Sequence, residues 1–173
     1  MEIHIRSLDR KDIPQILEIQ KQNPSAAQWK EADYDSLFSQ PGRVALAATE
    51  ASAGERQAGA ILGFAIFRQV VDEAELLNLA VEPSCQRRGI GRDLLREGMR
   101  QLVQAQAQFL FLEVRGSNQA ALALYASMGF ERLSLRPAYY QNPCEDGYIL
   151  CAQLPGRKGA HPDRIAPAQR DSD

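Results

Sequence analysis

One short segment and two isolated side chains carry the chemistry of this chain. Gln86-Arg87-Arg88-Gly89-Ile90-Gly91 sets two glycines and two arginines between an apolar run ending at Val81 and a helical pattern that opens at Gly89. A helix start leaves backbone N–H groups unpaired, its dipole favours negative charge, and glycine lets a ligand approach the main chain. The turn therefore suits phosphate or pyrophosphate oxygens. It has no Gly-Lys-Ser/Thr ending and no Gly-x-Gly-x-x-Gly, which argues against ATP and NAD. The plain alternative is a tight turn that merely opens a helix.

Glu113 interrupts Phe109-Leu110-Phe111-Leu112-Glu113-Val114, the most apolar run in the chain. Strand alternation puts it on the face of Phe109 and Phe111, where low polarity raises a carboxylate's pKa toward that of a base working near neutrality. An ordinary charge at a strand end, paired with Arg115, fits the same residues. Tyr125 lies beside Leu122 and Leu124; a phenol of pKa about 10 stays protonated at neutral pH and can donate to a departing anion. A core tyrosine with a satisfied hydroxyl is the alternative. Asn118 and Ser117 compete to cap the helix that carries Tyr125.

These groups need a scaffold, and periodicity supplies one. Ile3 and Ile5 alternate as in a strand, and Asp9 can cap a helix bearing Ile13, Ile16 and Leu17, with Pro14 tolerated in its first turn. Asn23-Pro24 ends it. A second amphipathic stretch with Tyr34, Leu37 and Phe38 runs to Pro41-Gly42. Val44 to Ala48 and Ala60 to Phe67 read as a hairpin joined by the polar stretch from Ala51 to Gly59, and Ala74 to Val81 adds a third antiparallel strand after a turn at Val71-Asp72. Gly89 to Ala107 is a long helix with Ile90, Leu94, Leu95, Met99, Leu102 and Val103 on one side. The run from Phe109 to Val114 reads as a strand buried on both faces, and the β-α-β crossover makes it parallel to the strand before the helix. Asn118 to Ser127 is a short helix closed by Gly129, and strands follow near Phe130 to Arg136 and Tyr148 to Leu154.

Composition bounds the class. With 173 residues, 45% of them hydrophobic, the chain can bury one core without disulfides. Twenty Lys+Arg against 22 Asp+Glu give a net charge of −2, so the overall balance asks for neither nucleic acid nor an anionic membrane. Cys85, Cys144 and Cys151, with His4 and His161, make no zinc set and no disulfide framework. The N-terminus lacks a signal-peptide pattern, and no apolar run reaches the roughly 18 residues of a membrane span. A cytoplasmic protein is expected. Pro155 to Asp173 holds three prolines and no aromatic residue, so 155–173 is expected to be a disordered tail and 1–154 the domain.

Gln86 to Gly91 matches the Q/R-x-x-G-x-G/A signature, and on it the chain resembles the GNAT superfamily of N-acetyltransferases. Leu77-Asn78-Leu79-Ala80-Val81-Glu82-Pro83, Leu112-Glu113-Val114-Arg115-Gly116-Ser117-Asn118, Ala123 to Phe130 and Arg136-Pro137-Ala138-Tyr139-Tyr140 are similar to the bacterial ribosomal-protein alanine N-acetyltransferases of the RimI type. The first 70 residues carry no such motif. The resemblance implies a mixed, largely antiparallel sheet of about seven strands with a splayed central parallel pair and about four flanking helices. It implies acetyl-CoA as donor and no metal. Arg87, Arg88, Gly89, Ile90, Gly91 and Arg92 would hold the pyrophosphate, Leu79, Ala80 and Val81 the pantetheine arm, and Asn118 would contact the same molecule. A backbone N–H at Val81 would polarise the carbonyl, Glu113 would be the base and Tyr125 the acid. Arg136, Tyr139 and Tyr140, placed between the last two strands, would line a groove for the acceptor, the N-terminal alanine of a small-subunit ribosomal protein.

The chemistry of amines favours such an acceptor. At neutral pH an α-amine of pKa about 8 is roughly a tenth neutral, whereas a lysine at about 10.4 lies about 3 kcal/mol further from its neutral form. One carboxylate base is better matched to the first. A lysine or small-molecule amine as acceptor, and a domain that binds acyl-CoA without turnover, are the competing readings.

Overall fold

The computed structural model describes residues 2–50 and 59–156. The expected disordered tail and the polar hairpin connection lie almost wholly outside them. Ile3–Ser7 forms β1, and Asp9 caps a short 3-10 turn that leads into α1, Ile13–Lys21, with Pro14 in its first turn. α2 spans Glu31–Leu37. β2 (Arg43–Glu50), β3 (Ile61–Val70) and β4 (Glu73–Val81) make the expected meander. α3 (Ile90–Gln104), β5 (Phe109–Arg115) and α4 (Gln119–Ser127) follow, then β6 (Glu131–Gln141) and β7 (Cys144–Gln153). Gly129, at φ 84°, ends α4 in the left-handed conformation expected of it.

The seven strands form one sheet in the order β1-β2-β3-β4-β5-β7-β6. Every neighbouring pair is antiparallel except β4 and β5, which the α3 crossover makes parallel. α1 and α2 pack on one face through Ile16, Tyr34, Phe64, Ile66 and Ala80. α3 and α4 pack on the other through Phe67, Leu94, Leu102, Leu110, Leu112 and Tyr125. α3 sits so close that a Cβ on Gly98 would overlap the Phe67 ring.

Two irregularities shape the centre of the sheet. Ile66 pairs with Asn78 but Phe67 with Leu76, so Leu77 is an extra residue, a β-bulge. Below it Ala74 and Leu76 face α3; above it Asn78 and Ala80 are buried toward α1 and α2. The pairing of β4 with β5 also stops there, at Leu76 opposite Leu112. Beyond that point both strands continue, to Val81 and to Arg115, with a gap between them.

The expectation that β5 is buried on both faces is corrected by its environment. Leu110, Leu112 and Val114 are buried against the α3 side, while Phe111, Glu113 and Arg115 are half-buried. α1 and α2 pack over β2, β3 and β4, so beyond Phe109, which is buried, the opposite face of β5 has less cover.

Candidate active site

The gap between β4 and β5 belongs to a cleft of about 880 Å³ lined by the ends of both strands, the start of α3, α4, residues 23–28 and Tyr139 and Tyr140. Main-chain phase decides what β4 offers it. The Glu82 N–H donates to the Leu62 carbonyl at 2.8 Å, and Ala80 stands opposite Phe64. In an antiparallel ladder alternate residues exchange both bonds, so Ala80 is paired to β3 while Leu79 and Val81 turn their N–H and C=O groups toward the gap. The Val81 carbonyl is already occupied, accepting from Asn23 Nδ2 at 3.1 Å and Gln86 Nε2 at 3.2 Å. Those two side chains also bond each other at 3.0 Å, tying the end of α1 to the turn before α3. The Val81 N–H stays directed at the gap.

The turn itself curls. Arg87 and Gly89 have φ of 62° and 87°, two left-handed residues around Arg88, a conformation that gathers successive amides into an anion-binding concavity. Gly89 is the N-cap of α3 with no side-chain cap bond, and Asp93 N–H is the donor to its carbonyl at 3.0 Å. The N–H groups of Gly89, Ile90, Gly91 and Arg92 thus precede the helical ladder. A Cβ on Gly89 would meet no heavy atom within 4 Å, and one on Gly91 would touch Leu124 and Val81. The space over these amides is open, and the residues present fit a pyrophosphate.

Glu113 and Tyr125 flank the gap from opposite faces of the sheet. The Glu113 carboxylate forms an ion pair with Arg136 Nη1 at 3.2 Å and accepts the Tyr139 hydroxyl at 3.3 Å. Three residues singled out from the sequence therefore converge. The alternative of a Glu113–Arg115 pair is overturned: Arg115 pairs with Glu145 at 2.7 Å and stacks over the Tyr140 ring at 4.0 Å. The competing carboxylate, Glu145, comes from the neighbouring strand β7. Tyr125 is 7% exposed and packs on Phe130 at 5.6 Å. Burial, then the nearby Tyr140, pushes its pKa well above the usual phenol value, so it holds its proton at neutral pH. Tyr140 is pushed up to about 12, first by burial and then by Glu113. Asn118 wins the cap of α4, accepting Ala121 N–H at 3.1 Å, and lines the cleft.

Arg136, Tyr139 and Tyr140 do not sit between the last two strands, as expected, but within β6. Arg136 pairs with Gly147 and Tyr140 with Glu145, so β6 carries two extra residues there. Asp146 Oδ1 accepts the Ala138 N–H at 2.9 Å and holds the kink, with Ala138 at φ 49°. A Cβ on Gly147 would press on both tyrosine rings, at 3.2 and 3.3 Å. Asn23, Asn78, Glu145, Asp146 and Gly147 were not legible as site residues; the first three act across long sequence separations and the last two across the β6–β7 connection, with only a polar or glycine break in a strand or loop as signal. Among the described residues no group of three His, Cys, Asp or Glu side chains could hold a metal, and no helix is long and apolar enough to cross a membrane.

Comparison with known proteins agrees with this arrangement. Ribosomal protein bS18-alanine N-acetyltransferase of Escherichia coli is 38% identical over 150 residues, 83% of this chain and 89% of that protein. N-alpha-acetyltransferase RimI of Mycobacterium tuberculosis is 43% identical over 101 residues, 56% of this chain and 62% of its own. The crystal structure of the ribosomal-protein alanine N-acetyltransferase from E. coli superposes with a TM-score of 0.76 at 32% identity, covering 95% of this chain and 100% of that one. Ard1 from Thermoplasma volcanium, at 23% identity and a TM-score of 0.77, has the same fold over 89% of this chain and 99% of its own. The family model for the acetyltransferase (GNAT) family matches residues 11–130, reaching well into the first 70 residues, which carry none of the motifs. The splayed strand pair, the turn and the extent of these matches lead to one conclusion: the chain belongs to the acetyltransferase (GNAT) family.

Proposed function

We propose that this protein transfers the acetyl group of acetyl-CoA to the N-terminal α-amine of a protein, the alanine of ribosomal protein bS18, as its E. coli relative is named for doing. The observation that carries the reading is the placement of Glu113 and Tyr125 on opposite sides of one gap whose amides face inward. The amides at the start of α3 hold the pyrophosphate, and the Leu79 and Val81 main chain aligns the pantetheine arm. Glu113 takes a proton from the acceptor ammonium. The freed nitrogen attacks the thioester carbonyl, forming the C–N bond, and the oxygen's new charge is met by the Val81 N–H. As the C–S bond breaks, Tyr125 gives its proton to the sulfur, and the surplus proton on nitrogen restores the phenol through solvent. Arg136, Tyr139 and Tyr140 position the peptide; tyrosines offer apolar area with a polar tip.

The test is an assay of CoA release with acetyl-CoA and three acceptors: a peptide with the bS18 N-terminus, the same peptide with a blocked N-terminus and one lysine, and a small polyamine. Turnover of the first alone is expected. Preference for either of the others would move the acceptor to a side chain or a small molecule, and CoA binding without turnover of any would leave a non-catalytic acyl-CoA domain. The protein is expected to act in the cytoplasm, where such an acceptor is made.

A further inference from the structure

Asn78 stands one residue past the β4 bulge, on the face toward α1 and α2, and lines the cleft. It is 3% exposed. Its Nδ2 donates to the Ala27 carbonyl at 3.0 Å and to the Tyr34 hydroxyl at 3.3 Å. The Tyr34 hydroxyl in turn donates to Gln20 Oε1 at 2.6 Å, and Gln20 Nε2 to the Trp29 carbonyl at 2.8 Å. This chain of donors fixes which end of the Asn78 amide is nitrogen. Oδ1 is left as a buried acceptor with no donor among the described residues. Buried acceptors are rarely left unpaired, because the lost hydration is not repaid. Across the gap, Glu113 Oε1 is likewise buried without a hydrogen bond, although Arg136 is ion-paired to it. Asn78 and Glu113 both line the one cleft, one on each lip of the gap, and both unsatisfied atoms are acceptors.

We propose that Asn78 Oδ1 binds the acceptor substrate, taking a hydrogen bond from the incoming primary amine while Glu113 takes its proton. The inference rests on the acyl-transfer reading above. A primary ammonium has three N–H donors. One proton leaves to Glu113, exposing the lone pair that attacks the thioester carbon. A second is lost after the C–N bond has formed and the C–S bond has broken. The third is held by Asn78, which orients the lone pair, and it remains on nitrogen as the N–H of the product amide. After Glu113 takes its proton a secondary amine keeps a single hydrogen, which must leave Asn78 for the amide to form, so this side chain favours primary amines.

The experiment compares kcat/KM for the alanine peptide and its N-methyl-alanine analogue in wild type, Asn78→Leu and Tyr34→Phe, together with CoA affinity and Tm. Asn78→Leu should lower kcat/KM for the primary amine at least ~10-fold, leave CoA affinity within about twofold, and shrink the primary-to-secondary ratio. Tyr34→Phe removes a partner of Nδ2 but spares Oδ1. It should lower Tm and keep the wild-type ratio. An unchanged ratio in Asn78→Leu would overturn the proposal, as would a peptide complex in which a water or a protein N–H fills Oδ1. Should Asn78→Leu not fold, equal turnover of the two peptides by wild type overturns it, and strong preference for the primary amine that is lost in Asn78→Ser supports it. Wild type inert toward every amine would instead sink the acyl-transfer reading itself.

Discussion

Two ion pairs on the same sheet have opposite construction. At the β1 end, Arg6 and Asp12 meet through two bonds of 2.6 and 2.9 Å, and Asp12 also accepts the Asp9 N–H at 2.8 Å. The Asp12 side chain is 2% exposed. At the β5 end, Arg136 reaches Glu113 at 3.2 Å, Tyr139 adds one bond of 3.3 Å, and both charged side chains keep about a quarter of their surface. The Asp12 carboxylate is saturated and closed, so it can only hold β1 to the start of α1. The second pair is loose and under-bonded, so in the proposed reaction an incoming ammonium competes with Arg136 for the carboxylate. Unsatisfied acceptors beside an open cleft, rather than charge as such, distinguish the site from the scaffold.

The contrast is sharpest in what each pair should lose. Asp12→Ala is expected to cost about 3 kcal/mol in chemical denaturation, the low end for breaking a buried pair because Arg6 keeps access to water, with specific activity of the folded fraction unchanged. A fall in kcat at constant stability would break the distinction. Glu113→Gln should do the reverse, cutting kcat by at least ~10²-fold, about 2.7 kcal/mol, with little change in the denaturation midpoint. An unchanged rate would remove Glu113 from the mechanism. Tyr125→Phe should cost less, about 10-fold in kcat, because a thiol of pKa about 8.5 leaves acceptably without full protonation. Its loss should be larger with a poorer leaving group than with CoA.

The smallest expected effect is on pH dependence. Burial pushes the Asp12 carboxyl up, but the Arg6 guanidinium and the Asp9 N–H together outweigh it and hold the pKa below the ordinary value. A carboxylate with a depressed folded pKa stabilises fully above its unfolded value, near 3.9, and loses that contribution as pH falls through the folded one. Wild-type stability should therefore drop more steeply below pH ~4 than that of Asp12→Asn. Parallel acid profiles in urea titrations would show that the pair contributes nothing.

Much of this was legible in residue patterns. Alternation and helical spacing located the elements, because their apolar faces are wide and their ends carry Asp9, Asn118 and Gly129, which act as expected. The β4 bulge was not legible. Leu76-Leu77-Asn78-Leu79 is apolar enough to hide a change of face, and Asn78, its one polar residue, was the unread signal. The β6 kink was misread for a related reason: Pro137-Ala138 breaks alternation as a loop would, but Asp146 caps the break and β6 continues. Glu113 stood out because a carboxylate in an apolar run is costly. Its pairing with Arg136 did not, since Arg136 is brought to it by β6–β7 pairing rather than by sequence proximity.

In the proposed complex, amides at the start of α3 grip a pyrophosphate while the gap between β4 and β5 admits the arm of a thioester. A crystal structure of the protein with acetyl-CoA tests it most directly. Phosphate oxygens are expected on the N–H groups of residues 89–92 and the acetyl carbonyl at the Val81 N–H, within reach of Glu113. Acetyl-CoA bound elsewhere, with Val81 and Glu113 contacting other groups, would contradict it.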